Sequence, residues 1–227
     1  MDMQNNKRLG ILIVLLFIAV LCTLHIIRNL NKISSDYEKY PKLTSSRYID
    51  LIKFEEHNFT LLVPSTTSIS DKFPNSSFIE PTWMQGATAT GEPVASLSVY
   101  HFKLAKAYPS EWRVELRISI TTDPFALENI EKKSIYTNQL PEIKLIHEVP
   151  FYVFPIQDAG MMKAISGYSY RTIYDGKAYV LEVLSYGSTY KDENYVDLLN
   201  DDQINKHIQT ALEIIDSFTF INTKNTE

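Results

Sequence analysis

The side chains that could do chemistry are isolated from one another along this chain of 227 residues. Its histidines form no H-x-x-x-H pattern and no Cys/His cluster, so their spacing argues against a zinc site: His25, His57, His101, His147 and His207. Ser166 lacks the G-x-S-x-G elbow of a hydrolase nucleophile, and no glycine belongs to a phosphate-binding loop. We therefore assign no catalytic residue, no metal ligand and no cofactor.

Acidic residues gather in only one stretch, where Asp192, Glu193 and Asp197 precede Asp201 and Asp202. Their spacing is not that of an EF-hand loop, and we interpret them as a solvated turn before a helix rather than as a calcium site. Carboxylate pairs that hydrolyse glycosides need no fixed spacing in sequence. Because nothing selects such a pair, an envelope hydrolase stays open as an alternative function.

A charged pair lies in the most regular part of the sequence, GYSYRTIYDGKAYVLEVLSYG. Asp175-Gly176 between two extended runs is typical of a two-residue hairpin turn, since both positions tolerate positive φ. The resulting register places Arg171 and Glu182 diagonally on the polar face. We interpret them as an exposed ion pair worth well under about 1 kcal/mol, with a ligand role as the alternative. The other face should meet the core: Tyr168, Tyr170, Thr172, Tyr179, Leu181 and Val183.

The least ordinary segment is the long aperiodic stretch of residues 64–93, which is rich in Ser, Thr and Pro. It nevertheless contains large apolar side chains: Phe73, Phe78, Ile79, Trp83 and Met84. Such a loop is uncommon in a compact domain, so it is either functional or holds a short unrecognised element. Its apolar residues either pack back on their own sheet or form a lid or partner surface. We predict that Phe78, Trp83 and Met84 bind a partner.

Strands dominate the rest of the sequence. Alternation and turn residues predict strands over residues 48–54, 59–63, 94–102, 112–120, 144–149, 151–154 and 217–221. Residues 112–120 alternate most strictly, which places Trp112 in the core and Arg113, Glu115 and Arg117 on a solvated face.

Two helices are predicted beside these strands. Asp123-Pro124 is typical of a helix start, and a short helix should follow over residues 125–134. A longer helix begins after Asn200 or Asp201 and carries one apolar stripe: Ile204, Ile208, Ala211, Leu212 and Ile215. The expected fold class is therefore α+β, a mainly antiparallel sheet with flanking helices.

An apolar stretch near the start, LGILIVLLFIAVLCTLHII, determines the predicted location. Residues 9–27 contain no charge and no proline, and as a helix they would cover roughly 28 Å, about the thickness of a bilayer core. No A-x-A cleavage pattern follows, and Leu21 is too bulky for a lipobox before Cys22, the only cysteine. We favour a retained single-pass signal anchor over a cleaved signal or a lipoprotein.

The flanking charges are nearly balanced, with Lys7 and Arg8 on one side and Arg28 and Lys32 on the other. The short tail of residues 1–8 favours a cytoplasmic amino terminus and an exported domain. Residues 28–46 then form a polar stalk, residues 47–222 a globular α+β domain, and residues 223–227 a disordered tail. The predicted location is the inner (cell) membrane, with the domain on the extracytoplasmic, periplasmic side.

Charge and cysteine usage restrict the partners of the exported part. Removing the four basic residues and one acidic residue of the first 32 positions from totals of 22 and 27 leaves 18 basic and 26 acidic residues. This excess of acid argues against nucleic acid and against docking on anionic lipid. With no cysteine after Cys22, the domain must be stabilised by burial alone, a pattern typical of bacterial envelope proteins.

The order of elements resembles a known domain family. An early F-x-L-x-V-P strand from Phe59, a Tyr-rich hairpin and a terminal helix running into IIDSFTF are together similar to the PsbP-like α/β/α sandwich. The resemblance covers roughly residues 48–221, and the long stretch of residues 64–93 departs from the simplest version. It implies a scaffolding, binding or assembly role, and the family supplies no catalytic residues to carry over.

We therefore expect a membrane-anchored extracytoplasmic binding or assembly module without catalysis, with a protein partner in or near the membrane. An envelope hydrolase and a structural subunit of a membrane complex are the alternatives. A deep polar pocket with perturbed acids would favour the enzyme, whereas an apolar groove would favour a partner.

Overall fold

The computed structural model describes residues 49–87, 89–103, 111–132, 140–189 and 201–221, all within the compact unit Arg47–Glu227. Several predicted features lie outside these residues: the tail 1–8, the anchor 9–27 with Cys22, the stalk 28–46, the acids Asp192, Glu193 and Asp197, and the tail 223–227. Within the part of the chain that the structure describes, no helix combines the length and apolar character needed to cross a bilayer.

The described residues form a sheet-rich α+β fold. The elements in chain order are β1 (Ile49–Phe54), a 3-10 turn (Glu55–His57), β2 (Phe59–Pro64), β3 (Ser68–Ser70), β4 (Glu92–Lys103), β5 (Glu111–Thr121), α1 (Pro124–Asn129), β6 (Glu142–Ile146), β7 (Val149–Gly160), β8 (Lys163–Tyr174), β9 (Lys177–Ser188), α2 (Asp201–Asp216) and β10 (Thr219–Phe220). Strand β3 lies inside the aperiodic stretch of residues 64–93, which answers the expectation of an unrecognised element there.

Among the described residues, all strand pairings are antiparallel and belong to two sheets. The large sheet has seven strands in the order β3-β4-β5-β9-β8-β7-β6, and the small sheet has three in the order β1-β2-β10. The predicted hairpin is confirmed: Tyr174 pairs with Lys177, and Asp175 and Gly176 have φ values of 49° and 73°. Both turn residues therefore have the positive φ of a two-residue hairpin turn.

One face of the large sheet carries the apolar core. Alternate residues of β5, β8 and β9 pack there against α2 and the inner face of the small sheet, and all of the following belong to one cluster: Val114, Leu116, Ile118, Tyr170, Leu181, Val183, Phe59, Leu61, Ala211, Ile214 and Ile215. The predicted core residue Tyr168 is 38% exposed instead. For β5, in contrast, strict alternation predicted correctly which residues face the core.

The other face of the large sheet is covered by residues 71–91, here called the covering loop, and by helix α1. Asp123 caps α1 by accepting a hydrogen bond from the Phe125 N–H, and Pro124 follows at the first helical position, as predicted. The same carboxylate accepts from the Thr90 N–H at 3.0 Å and from the Thr90 hydroxyl at 2.9 Å. One side chain therefore ties the end of the covering loop to the start of α1.

This cover overturns one sequence prediction. Glu115 and Arg117 were expected on a solvated face, yet they are 2% and 1% exposed. Alternation identified which residues share a face, but the covering loop, which has no periodicity, decides that this second face is buried.

Candidate ligand site beneath the covering loop

Trp83 anchors the covering loop to the sheet. Its indole is buried in a cluster with Ala178 and Val180 of β9 and with Ala126 and Ile130 of residues 124–132, which comprise α1 and the turn after it and are here called the α1 segment. The indole N–H donates to the Ala89 carbonyl at 2.6 Å, so the polar atom of the ring is satisfied within the loop. The Trp83 carbonyl in turn accepts a short hydrogen bond from the Ser119 hydroxyl of β5. Trp83 is therefore held by both its ring and its backbone.

Glycine is required next to this indole. A Cβ atom placed on Gly91 would lie 2.3 Å from the Trp83 ring, much closer than van der Waals contact permits. The buried position of the Trp83 ring therefore depends on Gly91, at the end of the covering loop where β4 begins.

Among the described residues, four buried side chains with acidic or basic groups lie on the covered face: Glu115, Arg117, Arg171 and Glu182. We call this group the buried ionic layer. Its first pair is direct, because Arg117 Nε donates to Glu115 Oε1 at 2.9 Å. The same carboxylate accepts from the hydroxyls of Ser96 at 2.7 Å and Tyr186 at 2.6 Å. Burial, with the adjacent Glu115 carboxylate, raises the pKa of Tyr186, which remains a hydrogen-bond donor.

The covering loop contributes to this pair from above. Arg117 Nη1 donates to the Glu80 carbonyl at 3.0 Å, and the guanidinium lies 4.7 Å from the centre of the Phe73 ring. Its Nη2 is the one buried side-chain nitrogen or oxygen without a hydrogen-bond partner among the described residues. The covering loop therefore contacts the Arg117 guanidinium through a backbone carbonyl and an aromatic ring, and it also buries this side chain.

The second pair of the buried ionic layer is not a direct ion pair. Within the described residues, no carboxylate oxygen lies within 4.0 Å of an Arg171 nitrogen. Arg171 Nε donates instead to the Ser169 hydroxyl at 3.0 Å, and its guanidinium lies 4.1 Å from the centre of the Phe154 ring. Burial lowers the pKa of Arg171 to about 10, so the side chain stays cationic at neutral pH.

Glu182 is satisfied by the backbone of the covering loop. The Gln85 N–H donates to both carboxylate oxygens, at 3.1 and 3.2 Å. Burial raises the pKa of Glu182 to about 7, although the Gln85 hydrogen bond and the charges of Arg171 and Arg117 lower it. Near neutral pH the carboxyl is therefore partly protonated, and it offsets the Arg171 charge incompletely.

A cavity of about 220 Å³ opens between the covering loop and the α1 segment. Its lining combines apolar side chains and backbone with two amides and two cations: Trp83, Met84, Gln85, Gly86, Ala87, Ala89, Phe125, Ala126, Asn129, Ile130, Lys132 and Arg171. No carboxylate, imidazole, hydroxyl or thiol occurs among these described lining residues. We call it the Arg171 cavity, and its only charges in the described chain are positive.

The structure brings together most of the residues singled out from the sequence. Met84 and Arg171 line the Arg171 cavity with the buried Trp83, and Glu182 lies behind it, bonded to the lining residue Gln85. Phe78 is separate, since it packs against the Ile79 and Tyr186 cluster and lines another surface depression beside Lys163. The partner-binding role of Phe78, Trp83 and Met84 stays a prediction, but Trp83 is only 6% exposed and belongs to the core.

The exposed ion pair predicted for Arg171 and Glu182 is wrong. Both side chains are buried under the covering loop, and each finds its main hydrogen bond elsewhere. The register placed them correctly as diagonal neighbours, because Ser169 pairs with Glu182 and Arg171 with Val180. The error was to treat a polar strand face as a solvated one.

Sequence reasoning did not select Ser96, Gln85, Phe154 or Tyr186 as members of this site. One signal was present: Val180, Leu184 and Tyr186 alternate onto the same face as Glu182, where a solvated face would carry few large apolar residues. Together with the apolar side chains of the aperiodic stretch, that pattern indicates a covered face.

Comparison with known proteins adds no identity to this geometry: no protein family and no curated protein matches the chain. Among the described residues, no three His, Cys, Asp or Glu side chains gather closely enough to hold a metal ion. The site must therefore be interpreted from its own residues.

Proposed function

We propose that this chain is a membrane-anchored extracytoplasmic binding module without catalytic activity, and that its ligand site is the Arg171 cavity. One observation carries the proposal: a cavity lined by apolar side chains and two cations lies where the predicted site residues Trp83, Met84 and Arg171 meet. Concave, mostly apolar sites with a few polar groups are typical of small-molecule binding.

The chemistry of the lining favours binding over hydrolysis. Among the described carboxylates, Glu182 has the pKa that best suits a general base at neutral pH, about 7. However, it is 1% exposed, and both its oxygens accept the Gln85 N–H, so the covering loop separates it from any substrate in the cavity. We therefore assign Glu182 a structural role and set the envelope hydrolase aside as the weaker alternative.

The proposed fold family is the PsbP-like α/β/α sandwich. Strand β2, the β8–β9 hairpin, and α2 running into β10 occur in the order of the resemblance. The covering loop with the short α1 would then take the place of one helical layer, which is where this chain departs from the family. Binding and assembly roles, rather than catalysis, are what that family implies.

The proposed location follows from residues 9–27 as a signal anchor, with residues 1–8 in the cytoplasm and the domain in the periplasm. We also retain a protein partner in or near the membrane, with Phe78 and Met84 as the candidate contacts because both are only partly buried. The test of location is a fusion of alkaline phosphatase to the carboxyl terminus. The phosphatase needs disulfides that form only outside the cytoplasm, so we expect the fusion to be active. A full-length fusion without activity would overturn the orientation.

The test of the ligand site uses the methionine methyl groups of the full-length chain in detergent. Met84 lines the Arg171 cavity, whereas Met161 and Met162 lie in the β7–β8 turn and are 95% and 66% exposed. Methyl ¹³C spectra are recorded with single-ring fragments that are neutral, anionic or cationic. We expect at least one class to shift the Met84 signal and leave Met161 and Met162 unchanged. No shift of Met84 with any fragment would overturn the cavity as a binding site.

A further inference from the structure

We propose that the Arg171 cavity binds a small organic carboxylate whose apolar body is about the size of one ring, held by the Arg171 guanidinium. This inference rests on the proposed function, because it names the ligand class of the same cavity. Three properties of the cavity support it: its size, its charge, and the way in which Arg171 is held.

Size restricts the ligand to a small molecule. A closed apolar cavity of 150 Å³ is large enough for benzene, as engineered cavities show. The Arg171 cavity has about 220 Å³, which admits a ring together with one carboxylate group. Its apolar wall includes Trp83, Phe125 and Ile130, side chains that suit an aromatic or branched aliphatic body.

Charge restricts the ligand to an anion. Arg171 and Lys132 are the charged residues among the described lining of the cavity, and both are cations. The two buried arginines also differ in a way that matters here. Arg117 is paired with Glu115 at 2.9 Å, whereas Arg171 has no carboxylate within 4.0 Å among the described residues. A buried cation without a direct counter-ion is expected to attract one.

The position of Arg171 is fixed before a ligand arrives. Its Nε donates to the Ser169 hydroxyl, and its guanidinium carbon lies 4.1 Å from the centre of the Phe154 ring. A guanidinium held in this way loses little side-chain entropy on binding, and its planar fork matches the two oxygens of a carboxylate. A carboxylate is therefore a better fit than a spherical halide, which cannot use the fork.

The experiment compares three probes of one shape: benzoate, neutral benzamide and cationic benzylamine. Each is titrated into the full-length chain, with the Met84 methyl signal as the readout and Met161 and Met162 as internal references. We expect benzoate to bind at least tenfold more tightly than benzamide, and benzylamine not to shift Met84. We expect Arg171→Gln to weaken benzoate binding at least tenfold and to change benzamide binding much less.

Two further variants keep this test interpretable. Arg171→Lys retains the charge but loses the fork, so it should bind benzoate with intermediate affinity and serves if Arg171→Gln does not fold. Lys163→Gln removes an exposed cation beside Phe78 rather than at the cavity, and it should leave benzoate binding unchanged. Equal binding of benzoate and benzamide would overturn the carboxylate inference while the binding site stands. No Met84 shift with any probe would overturn the site itself.

Discussion

At the scale of the residue, Glu182 gives the domain a pH dependence of known sign. Burial raises its pKa from the ordinary 4.5 to about 7, so the folded state binds this proton more tightly than the unfolded chain does. The contribution of Glu182 to the free energy of unfolding is therefore fully present below pH 4.5. It is lost as the pH rises from 4.5 to 7. The group facing it from the covering loop is the Gln85 N–H, and the cations near it are Arg171 and Arg117.

The variant that tests this is Glu182→Gln, whose amide oxygen can still accept from Gln85 but does not titrate. At pH 4 the two proteins should have similar free energies of unfolding. As the pH rises to 8, the variant should become more stable than the wild type, by up to roughly 3 kcal/mol. The measurement is urea unfolding at several pH values. A difference that stays constant from pH 4 to pH 8 would mean that Glu182 is not held in the protonated form.

At the scale of the element, the β8–β9 hairpin depends on its turn. Gly176 has φ of 73°, and a β-branched residue resists that conformation. We expect Gly176→Val to lower the free energy of unfolding by about 1 kcal/mol or more. The matched control is Gly160→Val, because Gly160 has ordinary φ and a Cβ there would meet nothing within 4 Å. Equal unfolding midpoints for the two variants would argue against the register Tyr174–Lys177.

The hairpin also shows why elements were predictable while their surroundings were not. Strand alternation and the Asp175-Gly176 turn are local properties. Spacing alone therefore predicts the strands β5, β8 and β9, and the pairing of β8 with β9 across the turn. Whether the buried ionic layer is exposed or buried depends on the covering loop. That loop is distant in sequence and has no hydrophobic period. The Arg171 cavity combines three such distant segments, and no spacing rule identifies it.

At the scale of the whole molecule, the covering loop acts as a structural layer. Trp83 is buried between β9 and the α1 segment, so Trp83→Ser should lower the free energy of unfolding by about 3–5 kcal/mol. Adding Met84→Ser should cost little more, since Met84 is only partly buried. The control is Phe125→Ser, which also lines the Arg171 cavity but is 57% exposed, and it should leave stability nearly unchanged. Denaturant unfolding measures all three, and an unaffected Trp83→Ser variant would show that the loop is dispensable for stability.

The strand order of the large sheet has a consequence for how the domain folds. Strands β6 to β9 are successive antiparallel neighbours, and β4 and β5 form another adjacent pair. Within the described sheet, only the β5–β9 pairing joins the two groups, and it links residues 57 to 75 positions apart. Because closing long loops costs entropy before contacts form, we expect the meander of β6 to β9 to form early. The β5–β9 pairing, here called the seam, should form late. Gly176→Val should then slow refolding, whereas Trp83→Ser should mainly accelerate unfolding, since its partners span the seam.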